Sequence, residues 1–311
     1  MSVELNRRTM FQGAALAGVA GVASLGASPA VAADYNLSAP ATPTLKQTGD
    51  LLFASQFNTS GFRQYKNFHP TTMKVGRDVG IQKDPSGGGK VAWLDSRAGL
   101  SHGNAHGRAS LEAPVRFYAS AHGNTKAVYG HKVRIHIPRE FAFSNTGQWL
   151  GFMGVHGAPW NTGSATGLMM VYNPRTRNHY LRMGNDPAVL READTVVQLG
   201  VWVDVLQYFN YNYKSRGGWA RLFMATRGGP WKEVPIRGVK GGYRMDTITA
   251  GEGSGWYHNK STPAATARCG VYGNRPMKIL LAHQEVARTL GPLLDGRKID
   301  GRPLSALGGL R

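Results

Sequence analysis

From Leu51 to Glu285 the chain alternates apolar and polar residues in short runs, and Gly, Pro or Asn closes most of them. A period of two sends every second side chain to the same side of an extended strand, so this text specifies sheets rather than helices. Lys132-Val133-Arg134-Ile135-His136-Ile137 is the clearest case. Val133, Ile135 and Ile137 point to a core, and Lys132, Arg134 and His136 form what reads as a wet basic face. Val201, Val203 and Val205 interleave with Trp202, Asp204 and Leu206; both sets are fairly apolar, as in a strand covered on both sides. Arg216-Gly217-Gly218 and Arg227-Gly228-Gly229-Pro230 bracket a strand from Trp219 to Thr226, and Asn173-Pro174 separates Gly167–Tyr172 from His179–Met183 as a hairpin. Glycine is abundant, 41 of 311 residues, without the period of collagen. No repeat of about 20 to 50 residues is visible, which argues against propellers and solenoids. Many strands in one domain predict an all-β jelly roll, a sandwich of two antiparallel sheets.

The ends read differently. Asn6-Arg7-Arg8-Thr9-Met10-Phe11-Gln12, a weakly apolar run from Gly13 to Ala27 and Ala30-Val31-Ala32 together predict a twin-arginine signal peptide over residues 1–32, hence a secreted protein with no membrane segment after cleavage. Residues 33–50, rich in Ala, Pro, Thr and Ser, read as a linker, residues 51–288 as the domain, and residues 289–311 as a tail that wraps it or stays mobile. The formal charge is +19, and losing Arg7, Arg8 and Glu4 lowers it only to +18. Such an excess favours a polyanionic partner without choosing one. Basic residues spread along the whole chain, with no nucleic-acid motif, argue against nucleic acid. A single cysteine, Cys269, excludes an intramolecular disulfide and multi-cysteine metal sites; beside Gly270 in a strand it reads as buried and inert.

Three segments carry chemistry-bearing residues. As a strand, Gly107-Arg108-Ala109-Ser110-Leu111-Glu112 puts Arg108, Ser110 and Glu112 on one face, and an Arg in such company can grip a carboxylate bidentately. It reads equally as a surface Arg near an in-strand Glu. In Gln148-Trp149-Leu150-Gly151-Phe152-Met153-Gly154-Val155-His156, strict alternation places Gln148, Leu150, Phe152, Gly154 and His156 together. The imidazole is either a proton carrier or a histidine satisfied in the core. In Thr266-Ala267-Arg268-Cys269-Gly270-Val271-Tyr272-Gly273-Asn274 the even-numbered residues share a face, with Arg268 and Tyr272 about 13 Å apart. A guanidinium near Tyr272 would favour its phenolate; an ordinary sheet tyrosine is the alternative.

In this order the three segments resemble the motifs of family 7 alginate lyases, R-S/T-E-L-R, Q-I/V-H and Y-F-K-A-G-V-Y-N-Q. They also resemble the corresponding Arg, His and K-x-x-G-x-Y positions of heparin lyase I-like enzymes. The matching residues are Arg108 to Glu112, Gly154-Val155-His156 and Arg268-Cys269-Gly270-Val271-Tyr272. Three positions depart: Ser110 replaces Glu, Gly154 replaces Gln, and Thr266 replaces the first Tyr, the usual catalytic tyrosine of family 7. Tyr272 is retained at the position that heparin lyase I-like and glucuronan lyase-like enzymes use.

The resemblance implies a concanavalin-like jelly roll that cleaves a uronic acid-containing anionic polysaccharide by β-elimination. Arg108 would neutralise the uronate carboxylate, without which a dianion builds up as C5 is deprotonated. His156 would be base or share that neutralisation, and Tyr272 would protonate the leaving oxygen or also take the C5 proton. Arg268 and Asn274, with the Lys132, Arg134 and His136 face, would bind the chain, and Trp160, Tyr180, Trp256 and Tyr257 are candidates to stack on sugars. No cofactor or metal is expected, since nothing in the sequence indicates calcium and His102 and His106 lie in Gly-rich text; a monomer is expected. A glycoside hydrolase would need two carboxylates flanking the bond, and only Glu192 and Asp194 lie close in sequence. A non-catalytic binder of anionic glycan remains the alternative of a different class.

Overall fold

The strands stack in two antiparallel sheets. The computed structural model describes residues 50–55, 57–69, 73–97, 107–118, 127–158, 167–183, 190–213, 217–226, 229–236, 243–244, 247 and 264–299. The expected signal peptide over residues 1–32, residues 33–49 of the expected linker, residues 300–311, and His102, His106, Trp160, Trp256 and Tyr257 lie outside the described residues. In chain order the strands are β1 (Leu51–Ala54), β2 (Asn67–His69), β3 (Val79–Lys83), β4 (Lys90–Asp95), β5 (Gly107–Tyr118), β6 (Val128–His136), β7 (Trp149–Ala158) and β8 (Leu168–Asn173). They continue with β9 (Asn178–Met183), β10 (Trp202–Asn210), β11 (Trp219–Thr226), β12 (Lys232–Val234), β13 (Tyr243–Arg244), β14 (Ala264–Gly273) and β15 (Lys278–Ala287). Short 3-10 turns at Arg139–Phe141, Glu192–Asp194 and Gly291–Leu294 are the helical elements among them.

One sheet has nine strands in the order β12-β11-β10-β6-β15-β4-β3, with β1 added on β15 and β13 on β11; the other has six, β2-β5-β14-β7-β8-β9. This is the jelly-roll sandwich that the alternation predicts. Its core is the layer between the sheets, where Leu94, Leu111, Ile135, Phe152 and Phe209 are almost fully buried. Each such side chain contributes about 1.5–3 kcal/mol. Phe117 of β5 crosses the layer, 4.6 Å from the ring of Tyr129 on β6 and 5.5 Å from that of Phe209 on β10. A polar thread also crosses: the Cys269 thiol donates to Gln284 Oε1 at 3.1 Å, and Gln284 Nε2 lies 2.9 Å from His131 Nε2. Burial pushes the Cys269 thiol pKa up, which keeps it protonated and inert as expected.

All nine residues of β10 are buried, because the outer face of the nine-stranded sheet is covered too. Leu290, Leu293, Leu294 and Ile299 pack there on Leu206, Tyr208, Phe223 and Trp231. The first four of these residues lie beyond residue 288, in the segment that the sequence reads as a tail.

That covering corrects the expectation of a wet basic face. Val133, Ile135 and Ile137 do enter the core, but Lys132 is fully buried, 0% exposed. Its Nζ is 2.6 Å from both Glu285 and Asp295. Arg134 donates to Asp204 through Nε at 2.5 Å and Nη2 at 2.9 Å. Arg297 reaches the same carboxylate at 3.0 Å and Asp295 at 3.1 Å. His136 packs its ring on Trp202, 5.4 Å between centroids. Bare charges are costly to bury, so Lys132, Arg134 and Arg297, which the fold covers here, are each matched with a carboxylate.

Candidate active site

On the six-stranded sheet, β14 runs between β5 and β7, which brings the three chemistry-bearing segments side by side. Tyr272 pairs in register with Arg108 on one side and Gly151 on the other. Directly opposite residues share a face, and here they touch: the Arg108 guanidinium carbon sits 4.9 Å from the centre of the Tyr272 ring. Trp149 meets the same ring edge-on, with centroids 5.0 Å apart and planes at 73°. Tyr272 is 36% exposed. Arg108 is half-buried, and its Nε is buried without a hydrogen bond. Burial lowers the Arg108 pKa, and the neighbouring Tyr272 and Glu112 act against that shift. A buried guanidinium N–H left unmade is costly, and the planar guanidinium as a whole is a group that binds carboxylates bidentately.

Arg268 is not the guanidinium beside Tyr272. It pairs with Glu112 in register, its Nη2 donates to Glu112 Oε1, and Asn67 of β2 donates to Glu112 Oε2 at 3.2 Å. The carboxylate thus joins three strands under the site. Asn274 is also engaged, donating to the Gly147 carbonyl and accepting from the Trp149 backbone N–H at 3.1 Å. Its side chain ties the start of β7, and with it Trp149, to the end of β14.

The strict alternation assumed for β7 breaks at one place. The register with β14 slips between Cys269 and Tyr272, where Gly270 and Val271 face the single residue Phe152. Gly270 has φ +146°, and a Cβ on it would lie 2.3 Å from the Ala109 carbonyl oxygen, so only glycine fits this bulge. Leu150 and Phe152 therefore enter the core together with Met153 and Val155, while Gly151 and Gly154 pair with the outward Tyr272 and Arg268. The expectation that Leu150 and Phe152 share a face with Gly154 and His156 is corrected by that bulge.

His156 pairs with Thr266. Thr266 lies six positions before Tyr272 on β14, which puts His156 about 20 Å along the strand from the Arg108–Tyr272 pair. Its diagonal neighbour is Arg268, at a separation of about 7–8 Å. The three candidate catalytic residues thus share a sheet, but the fold unites only Arg108 with Tyr272. Lys132, Arg134 and His136 belong to the other sheet and do not line this surface. Tyr180 pairs with Val171 in the β8–β9 hairpin, at the edge of the six-stranded sheet. Trp149 was legible as an outward aromatic only through its partner; Asn67, in a three-residue strand, carried no signal in the sequence.

No family model matches the chain, and no curated protein does. Among solved structures it is similar to a cellulose induced protein at TM-score 0.43 and 10% identity, covering 76% of this chain and 97% of that one. It is similar to an alginate lyase from Chlorella virus at TM-score 0.43 and 12% identity, covering 76% and 99%. A GH131 β-glucanase catalytic domain from Podospora anserina gives TM-score 0.41 and 11% identity, covering 67% and 78%. These proteins differ in what they do, and the fold assignment rests on the sheet order itself.

Proposed function

We propose that this chain is a polysaccharide lyase acting on a uronic acid-containing polymer, with the chemistry centred on Arg108 and Tyr272. The observation that carries the reading is the Arg108 guanidinium, its Nε buried without a hydrogen bond, packed against an exposed tyrosine. Arg108 takes the uronate carboxylate and stabilises the negative charge that builds on it as C5 loses its proton. The Tyr272 oxygen removes that proton and delivers it to O4 of the departing sugar. The C5–H and C4–O4 bonds break, a C4=C5 double bond forms, and the proton ends on the new hydroxyl. His156, about 20 Å along the strand direction from this pair, takes no part in the bond cleavage. Residues 1–32 are proposed to direct export. Glu112 is the one carboxylate among the described strand positions of this surface and is held by Arg268, which disfavours a two-carboxylate hydrolase.

The test is ultraviolet absorbance of the unsaturated uronate, with the protein on glucuronan, alginate, heparin, hyaluronan and chondroitin. Absorbance should rise on one polymer, vanish in Tyr272→Phe and persist in His156→Gln with a raised KM. Loss in His156→Gln as complete as in Tyr272→Phe would move the centre to the other end of β14. Tight retention without absorbance on any polymer would leave an anionic-glycan binder.

A further inference from the structure

The nine-stranded sheet has an opening of its own. A cavity of about 380 Å3 lies on its outer face, between β6, β10 and β15, the 55–59 segment and the β3–β4 turn. That volume falls in the range of about 300–1,000 Å3 typical of small-ligand pockets, at the end suited to one or two rings. Arg134, Trp202, His283 and Glu285 line it from β6, β10 and β15, Asp84 from the β3–β4 turn, and Lys90 from the start of β4.

The charges of this lining balance: two cations, Arg134 and Lys90, face two carboxylates, Asp84 and Glu285. Three of the four are also spent within the protein. Arg134 is held in two hydrogen bonds by Asp204, and Glu285 by Lys132 at 2.6 Å. Asp84 Oδ1 accepts from the Ser86 N–H and hydroxyl, both at 2.7 Å, and from the Trp202 indole N–H at 3.1 Å. A polyanion entering here would meet two carboxylates, and a cation would meet Arg134 and Lys90. His283 adds a polar group that the fold leaves unsatisfied. Its Nε2 is buried, makes no hydrogen bond and lies 3.9 Å from Asp204 Oδ1. Burial, reinforced by Lys132 and Arg134, pushes its pKa down to about 3, so the ring is neutral, with one donor and one acceptor, the pair a hydroxyl can match.

We propose that this cavity is a second carbohydrate site, which takes one or two units of an uncharged sugar and is separate from the surface around Arg108 and Tyr272. It is independent of the lyase reading, since none of its residues lies on the six-stranded sheet.

The experiment titrates the protein with cellotriose, xylotriose, mannotriose and maltotriose while following the Trp202 indole N–H resonance by NMR, assigned with Trp202→Phe. At least one trisaccharide should shift that resonance saturably, with a Kd that added salt leaves unchanged. Ala282→Phe, which projects into the cavity, should weaken binding tenfold or more and leave turnover of any uronate polymer intact. No saturable shift with any of the four sugars would overturn the proposal, as would an equal response to glucuronate oligomers or full binding in Ala282→Phe. If that variant does not fold, the Trp202 resonance of the unmodified protein decides alone.

Discussion

The two outer faces of the sandwich are built from the same kind of strand and both tie arginines to carboxylates, Arg268 to Glu112 on one of them, yet they differ at Arg108. On the six-stranded sheet Arg108 rests on a tyrosine ring with a buried Nε that makes no hydrogen bond. On the nine-stranded sheet Lys132 and Arg134 are locked to Glu285 and Asp204, and the covering 290–299 segment adds Asp295 and Arg297 to the same network. A strongly basic chain is therefore not a uniformly basic surface. What a cation offers to a partner depends on whether the fold has already supplied its counter-charge.

The sharpest way to break this contrast is Tyr272→Phe. It keeps the ring between Arg108 and Trp149 and removes only the hydroxyl, so turnover should fall about 10²- to 10⁴-fold with an unchanged melting temperature. On the other face Asp204→Ala leaves Arg134 and Arg297 without their shared carboxylate. Urea unfolding should show a loss of about 3–5 kcal/mol, and a loss under 1 kcal/mol would mean that the network is slack. Acid should act on the interior and the nine-stranded sheet. His131 and His283 are held neutral with pKa values pushed down to about 3, against about 6.5 in the unfolded chain. The unfolded state then takes up protons that the folded state refuses, so stability is complete above pH 6.5 and drains away as pH falls toward 3, by up to about 1.4 kcal/mol per unit for each histidine. Glu285, whose pKa burial raises, works in the opposite sense. Melts between pH 7 and pH 4 should show the decline, and His131→Gln should make it shallower. The smallest effect belongs to Trp149→Ala, which forfeits an edge-on ring contact of about 0.5–1.5 kcal/mol and should raise KM severalfold with kcat largely kept.

Much of the architecture was legible because it is local. Paired glycines mark both ends of β11, Asn173-Pro174 marks the β8–β9 turn, and Val133, Ile135 and Ile137 face the core as their spacing dictates. What escaped depends on partners distant in sequence. Lys132 reads as solvated until Glu285 and Asp295 close over it. The faces of β7 follow from a bulge set by Gly270, more than a hundred residues downstream. Arg108, Tyr272 and His156 were each identifiable as chemical groups. Their grouping was not, because it needs the register of β14 against both neighbours, and that register joins the first two and separates the third.

The place of β14 in the six-stranded sheet also bears on how the molecule comes into being. β5 and β7 are made early, but the strand that separates them begins at Ala264 and ends at Gly273. A growing chain that has already released β5 and β7 has nothing to lay between them, and their pairing must wait while more than a hundred residues emerge. Contacts that close such long loops form slowly. Arg108 therefore meets Tyr272 only when synthesis of the strands is nearly complete, so a chain cut short before Tyr272 carries Arg108 and Trp149 without the ring on which both pack.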